Sequence, residues 1–273
     1  MNAKASFSFD AFMKLAFCLE GRDKLSKILQ YGSRGLAFYI LSADPKSDVG
    51  QRLHALYKIM QQSRKAFRLG KSLVYYKKLQ MLSNNKNLTE GQRYLHFVQN
   101  VAMLGYFITD NIAFATKAKV LRFDADKLVS RGGMMWFCAN LAGFFNAMDN
   151  LNADVEKEKC VRTILASEED IMRVETLQHQ LETLRSDRCK KLLAVLKVTC
   201  DLIVSSNTSG VRLSERITGT KLHDGVIGLV GCMSAAVVLY NTWPDAPKET
   251  VRKNDTKAQT KTEAKSEAKD ETN

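Results

Sequence analysis

Hydrophobic positions recur at helical spacing along almost the whole chain, and the pattern predicts one helix after another. From Ser8 to Leu41 a stripe of Phe12, Leu15, Ala16 and Leu19 resumes after Gly21 at Leu25, Ile28, Leu29, Gly32, Leu36, Ala37 and Ile40. Asp44-Pro45 stops it. From Arg52 to Leu82 a helical wheel collects Leu56, Ile59, Met60, Ala66, Phe67, Gly70, Leu73, Val74 and Met81 on one arc. The opposite arc holds Lys58, Gln61, Arg64, Lys65, Arg68 and Ser72, with Lys71 at its border. Leu69 breaks the pattern on the polar side, and Lys77 sits on the apolar arc, where its stem must snorkel. Ser83–Gly91 has turn composition.

Farther along, the apolar runs lengthen. Tyr94–Ala115 is apolar on most sides but holds Gln99, Asn100, Asp110 and Asn111, which fits a buried helix or a poor membrane span. Gly132–Ala147 has no charge over sixteen residues. It falls short of the ~20 needed to cross a bilayer. Trp136 and the pair Phe144-Phe145 would suit an interfacial or re-entrant position. Asp154–Arg188 reads as a strongly charged helical segment outside the hydrocarbon, and Leu192–Val204 as an apolar one whose Lys197 and Asp201 can pair at i,i+4. Gly225–Trp243 is nineteen residues without charge, ending in Tyr240 and Trp243. At ~1.5 Å per residue it reaches ~28 Å, the length of a membrane span with an aromatic anchor. Gly228, Gly231 and Ala235 give it a small-residue face.

With only three prolines (Pro45, Pro244 and Pro247) the expected fold is all-α: an integral membrane protein with N-terminal amphipathic helices and at least one C-terminal transmembrane helix. The expected regions are 1–91, with a membrane-bending helix at 52–82; 92–151, apolar helices with a possible span or re-entrant segment; 152–224, charged and helical; 225–243, transmembrane; and 244–273. The last mixes Lys, Glu, Thr and Ala and is expected to be disordered and dispensable for insertion.

Charge sharpens the picture. The net charge is +12, and residues 1–130 carry 21 Lys/Arg against 9 Asp/Glu while the remainder is balanced at 20 against 20. No acidic residue lies between Asp48 and Glu90, where nine basic ones do. A one-signed polar face opposite an apolar one describes a helix lying in an anionic membrane surface, each basic residue contributing ~1 kcal/mol. Leu56, Ile59, Met60, Phe67, Leu73 and Val74 are then the expected membrane-inserting residues, and Lys58, Arg64, Lys65, Arg68 and Lys71 the expected headgroup contacts. The alternative is a solvated helix packed on its own domain. No zinc ligands, RNA-stacking strand or basic zipper accompany the charge, so anionic lipid is preferred to nucleic acid as partner.

Nothing points to catalysis. The sequence has no phosphate-cradling glycine loop and no nucleophile elbow. His54, His96, His179 and His223 stand without partners at metal spacing. The six cysteines (Cys18, Cys138, Cys160, Cys189, Cys200 and Cys232) show no C-x-x-C and read as thiols of a reducing compartment. No enzyme, cofactor or metal is expected. A secretory signal is not expected either: Asp10 and Lys14 interrupt the apolar start.

Three stretches carry a family resemblance. Gly21-Arg22-Asp23-Lys24-Leu25, followed by Leu29-Gln30-Tyr31-Gly32-Ser33-Arg34, resembles the opening signature of the peroxin-11 family of peroxisomal membrane proteins. Arg64-Lys65-Ala66-Phe67-Arg68-Leu69-Gly70-Lys71 is similar to that family's amphipathic helix, and Asp224-Gly225 with Gly228, Leu229 and Gly231 to the start of its C-terminal membrane segment. The resemblance implies residence in the membrane of the peroxisome, or of a derived organelle such as the glycosome. It also implies elongation of that membrane before fission by a helix wedged into one leaflet, self-association, and recruitment of dynamin-related fission machinery. Two rivals remain open. One is a pore for small metabolites lined by Asp110, Asn140, Lys197 and Asp201. The other is a helical scaffold that bends nothing.

Overall fold

The computed structural model describes residues 7–84 and 88–244, and among them every regular element is an α-helix. The order is α1 (Phe9–Phe17), α2 (Leu19–Ala43), α3 (Asp48–Phe67), α4 (Lys71–Asn84), α5 (Glu90–Lys117), α6 (Ala125–Ser167), α7 (Ile171–Thr208), α8 (Leu213–Thr218) and α9 (Asp224–Thr242). The expected tail falls outside the described residues. Local chemistry sets most of the starts: Ser8, Ser47, Asp124 and Asp170 each cap a helix with a side-chain oxygen. Thr89 and Gln92 close a full capping box on α5.

Three expected continuous stretches are broken. The first unit bends at Cys18, where the chain turns from α1 into α2 and a side chain on Gly21 would collide with the Leu15 carbonyl. The run from 52 to 82 is two helices, parted at Arg68–Gly70 with Gly70 at φ 71°, a left-handed conformation that glycine adopts without a Cβ penalty. The charged segment 154–188 folds back at Glu168–Asp170 into the antiparallel ends of α6 and α7. Gly132–Ala147 lies in the body of α6, which runs straight through it.

Neighbour by neighbour the helices close a ring: α2 packs on α9, α9 on α7, α7 on α6, α6 on α5, and α5 on α4 and α3, with α3 returning to α2. The tightest joint is α2 against α9. Gly228 abuts the backbone of Tyr31 and Gly35, where an added Cβ would sit 2.7 Å from Gly35 Cα, and Gly231 lies under the Tyr31 ring. An apolar knot of Tyr31, Val204 and Ile227, with Trp136 and Val230 against it, ties α2, α7 and α9 together. α9 alone among the described helices is long and apolar enough to cross a membrane.

Candidate functional site

The inside of this ring is polar and much of its outside is apolar, the reverse of a soluble bundle. A cavity of about 490 Å³ runs between α2, α3 and α4 on one wall and α5, α6 and α7 on the other. Leu29, Leu36, Tyr39, Ile59, Leu73, Val74, Met81, Phe97, Phe145 and Leu229 are meanwhile exposed. Outward apolar side chains over a charged interior match a bundle whose surroundings are lipid, where buried charge must find its partners inside the protein.

Three carboxylates organise the interior. Asp23, on α2, faces Arg64 Nε at 3.0 Å, Lys24 at 2.8 Å and Arg68 at 4.0 Å. Asp110, on α5, faces Lys65 at 3.3 Å and Arg68 at 3.1 Å. Asp201, on α7, accepts from Lys27 Nζ at 2.7 Å and pairs with Lys197 at 3.0 Å. Lys27 also donates to Ser234 Oγ at 2.7 Å, and Ser234 in turn donates to Asp201 at 2.6 Å. Ser234 is 0% exposed in the middle of α9, so the span-length helix is stitched by one hydroxyl to the charged interior. Gln30 accepts from Arg64 at 2.6 Å, and Tyr106 accepts from Arg68 at 2.6 Å while stacking on Trp136.

The residues expected to touch headgroups are therefore distributed unevenly. Lys58 is exposed. Arg64 and Lys65 are 8% and 6% exposed and Arg68 is nearly as buried, all turned into the ring. Lys71 stands at the rim, 3.1 Å from Glu20. Of the expected inserting residues, Ile59, Leu73 and Val74 face outward, Leu73 at 71% exposure, while Leu56, Met60 and Phe67 are half-buried. Asp110, Asn140, Lys197 and Asp201 do line one cavity, and the three charged ones pair across or along it.

The signature residues fall into two groups. Gly21, Arg22 and Asp23 with Lys24 build the α1–α2 corner and the charged hub: Arg22 donates to the Ala16 carbonyl at 3.0 Å and lies over the Phe17 ring. Gln30 joins the hub through Arg64, while Tyr31, Asp224, Gly225 and Gly228 build the α2–α9 joint. There Arg34 reaches Asp224 at 2.7 Å, and Gly225 leaves room for Tyr39. Sequence reasoning missed Lys27 and Ser234. The polar stripe of Asp23, Lys27, Gln30 and Arg34 opposite the apolar one on α2, and a lone serine deep in the charge-free run of α9, were the available signs.

Glu158, outside the ring near the far end of α6, holds α7 to it. It accepts from Arg162 at 2.6 Å and Arg188 at 2.7 Å, with Arg185 at 3.7 Å. The Arg162 hydrogen bond, with the charges of Arg188 and Arg185, keeps its carboxyl below the usual glutamate value despite its burial.

An all-helical chain with a span-length C-terminal helix, an apolar exterior and an ion-paired interior is a helical membrane protein. Comparison with known proteins says which kind. The profile of the family described as Peroxisomal biogenesis factor 11 (PEX11) matches residues 9–243, and the chain belongs to that family. It is 25% identical to the Peroxisomal membrane protein 11 homolog of Dictyostelium discoideum, over 86% of this chain and 94% of that one. It is 24% identical to Peroxisomal biogenesis factor 11 of Schizosaccharomyces pombe, over 85% and 93% respectively. Peroxisomal membrane protein PMP30B of Candida boidinii is 23% identical, over 81% and 89%. No solved structure matches. The protein is thus a peroxisomal membrane protein of a biogenesis family, with a role in peroxisome proliferation, and that family is not one of enzymes.

Proposed function

We propose that the chain elongates the peroxisomal membrane by seating the outward face of α4 and the adjoining end of α3 in one leaflet, ahead of fission. The observation that supports this most is the cluster of exposed Leu69, Leu73, Val74, Tyr76 and Met81 around and beyond the Gly70 turn. That much apolar surface on one short helix is stable only against lipid or a partner. Ile59 extends the face onto α3, with Leu56, Met60 and Phe67 at its border. Lys58, Lys77 and Lys78, all exposed, are placed to reach headgroups by snorkelling. Arg64, Lys65 and Arg68 take a different part in this reading. Their pairing with Asp23 and Asp110 fixes the end of α3 and the Gly70 turn to the ring, so that insertion of α4 is transmitted to a rigid body. Shallow insertion expands one leaflet and favours positive curvature. Self-association and recruitment of dynamin-related fission machinery belong to the same reading and rest on the family resemblance. The test is peroxisome shape in cells lacking the endogenous protein. The wild type should restore elongated intermediates. Leu73→Glu with Val74→Glu should insert into the membrane and leave peroxisomes round and few. Elongation by that variant would remove α4 from the mechanism.

A second reading is a conduit for small metabolites, favoured by the one polar cavity that collects Asp110, Asn140, Lys197 and Asp201. Conductance of reconstituted protein, abolished by Asp201→Asn, is its test.

A further inference from the structure

The ring interior has more positive charge than its own carboxylates can balance. Nine cationic side chains line the cavity against five acidic ones. Among the deepest, Lys27, Arg64, Lys65 and Arg68 face only Asp23, Asp110 and Asp201. Every one of those carboxylates is already shared: Asp23 by Lys24, Arg64 and Arg68, Asp110 by Lys65 and Arg68, and Asp201 by Lys27 and Lys197. Arg34 also lines the cavity, and its buried Nε has no hydrogen-bond partner. Buried cations left without counter-charge are costly, and their normal remedies are pairing or a bound ion. Asp224, outside the lining, takes Arg34 at 2.7 Å, so the nine cations face six carboxylates in all, and the excess of three is more than a single carboxylate can neutralise. A phosphate group brings a charge of ~−1.5 to −2 and three strong acceptor oxygens.

We propose that this interior is a binding site for a phosphate group, carried either on a small soluble organic molecule or on a lipid headgroup. Lys24, Lys71 and Arg34 meet it from the rim, and the Arg64–Arg68 pair from the floor. Gln61, Gln62 and Gln99 add neutral amides to the same lining. The space is several times that of one phosphate. The stacked pair Tyr106–Trp136, with Met103 beside it in the lining, offers an apolar wall for the rest of the ligand. The site depends on neither the leaflet wedge nor a through-going pore: it requires saturable binding, and no conductance.

The experiment uses the full chain in nonionic micelles. Inorganic pyrophosphate and dihexanoyl phosphatidic acid are titrated separately at ionic strength matched with sodium chloride, reading thermal stability and Trp136 fluorescence with Trp243 replaced by Phe. At least one probe should raise the melting temperature to a plateau and shift the fluorescence. Pyrophosphate alone doing so assigns a soluble ligand, the phosphatidic acid alone a lipid headgroup, and both together the phosphate itself. Lys24→Gln and Lys71→Gln are rim changes, and each should weaken binding about tenfold, as expected for one charged hydrogen bond. Lys24→Arg should retain it. Three results would each overturn the proposal: no plateau with either probe, an equal effect of chloride alone, or undiminished binding in both glutamine variants.

Discussion

At the scale of the residue, Asp23 and Gly228 show two different ways a position becomes indispensable. Asp23 is 2% exposed and neutralises parts of three cations at once. Asp23→Ala would leave Arg64 and Arg68 buried with too little counter-charge, and a loss of about 3–5 kcal/mol in thermal or denaturant unfolding in micelles is expected. Lys77→Ala, on an exposed lysine, should change stability by no more than about 0.5 kcal/mol. Gly228 matters through space. A side chain there meets backbone of α2, which cannot rotate away, so Gly228→Val is expected to cost about 1–3 kcal/mol or more and to loosen α9 from α2. Gly91→Ala, with nothing within 4 Å, is the control that should be silent. The importance of Asp23 was legible as part of a signature. Its partners were not, because the charge of the 52–82 segment was counted along the chain. The carboxylates that answer Arg64, Lys65 and Arg68 come from α2 and α5, 41 residues before and about as many after.

At the scale of the element, periodicity located the apolar stripes well and their breaks poorly. The stripe continues in register across Gly70, so only backbone conformation marks that joint, whereas at the α1–α2 joint it shifts, with Arg22, Asp23 and Ser26 in the positions that would have continued it. The fold-back at Glu168–Asp170 hides inside a run of charges, with Asp170 serving as cap to α7 through a 3.0 Å bond from the Met172 amide. That fold-back creates the α6–α7 pair that Glu158 clasps. Since its folded pKa is depressed, the clasp contributes fully above the ordinary glutamate value of 4.5 and is lost as pH falls below it through the folded value. Protection factors of the amides around residues 155–190, with the chemical pH dependence of exchange divided out, should therefore fall as the pH is lowered from 6 through 4.5 and below. Glu158→Gln should be less protected than the wild type at pH 6, and the difference should shrink as the pH falls below 4.5. A variant difference that stays constant over the whole acid range would assign the clasp to packing.

At the scale of the whole molecule, the all-helical class was legible from periodicity and the scarcity of proline, and the position of α9 from apolar length, while the polar interior was not legible. A pattern of polar residues does not say whether it faces water or the centre of a ring. Here α9 supplies the bias, since its Ser234 and its glycine face are spent on α7 and α2 while Leu229 and Tyr240 remain exposed. Arg at Val230 or Ala235 should cost about 2.5–3.5 kcal/mol at the bilayer centre and reduce insertion in a glycosylation-mapping assay. Normal insertion of either variant would make α9 a packed helix outside the bilayer. The central proposal is that the outward face of α4 rests in a leaflet, and it can be measured by depth. A fluorophore is placed on Val74→Cys in full-length protein whose exposed Cys138, Cys160 and Cys189 are changed to Ser, and the protein is reconstituted in anionic vesicles. If α4 is seated shallowly, lipids brominated near the headgroup end of the acyl chain should quench the probe strongly and aqueous iodide weakly. Strong quenching by iodide, with none by the brominated lipids, would put α4 in water and contradict the wedge.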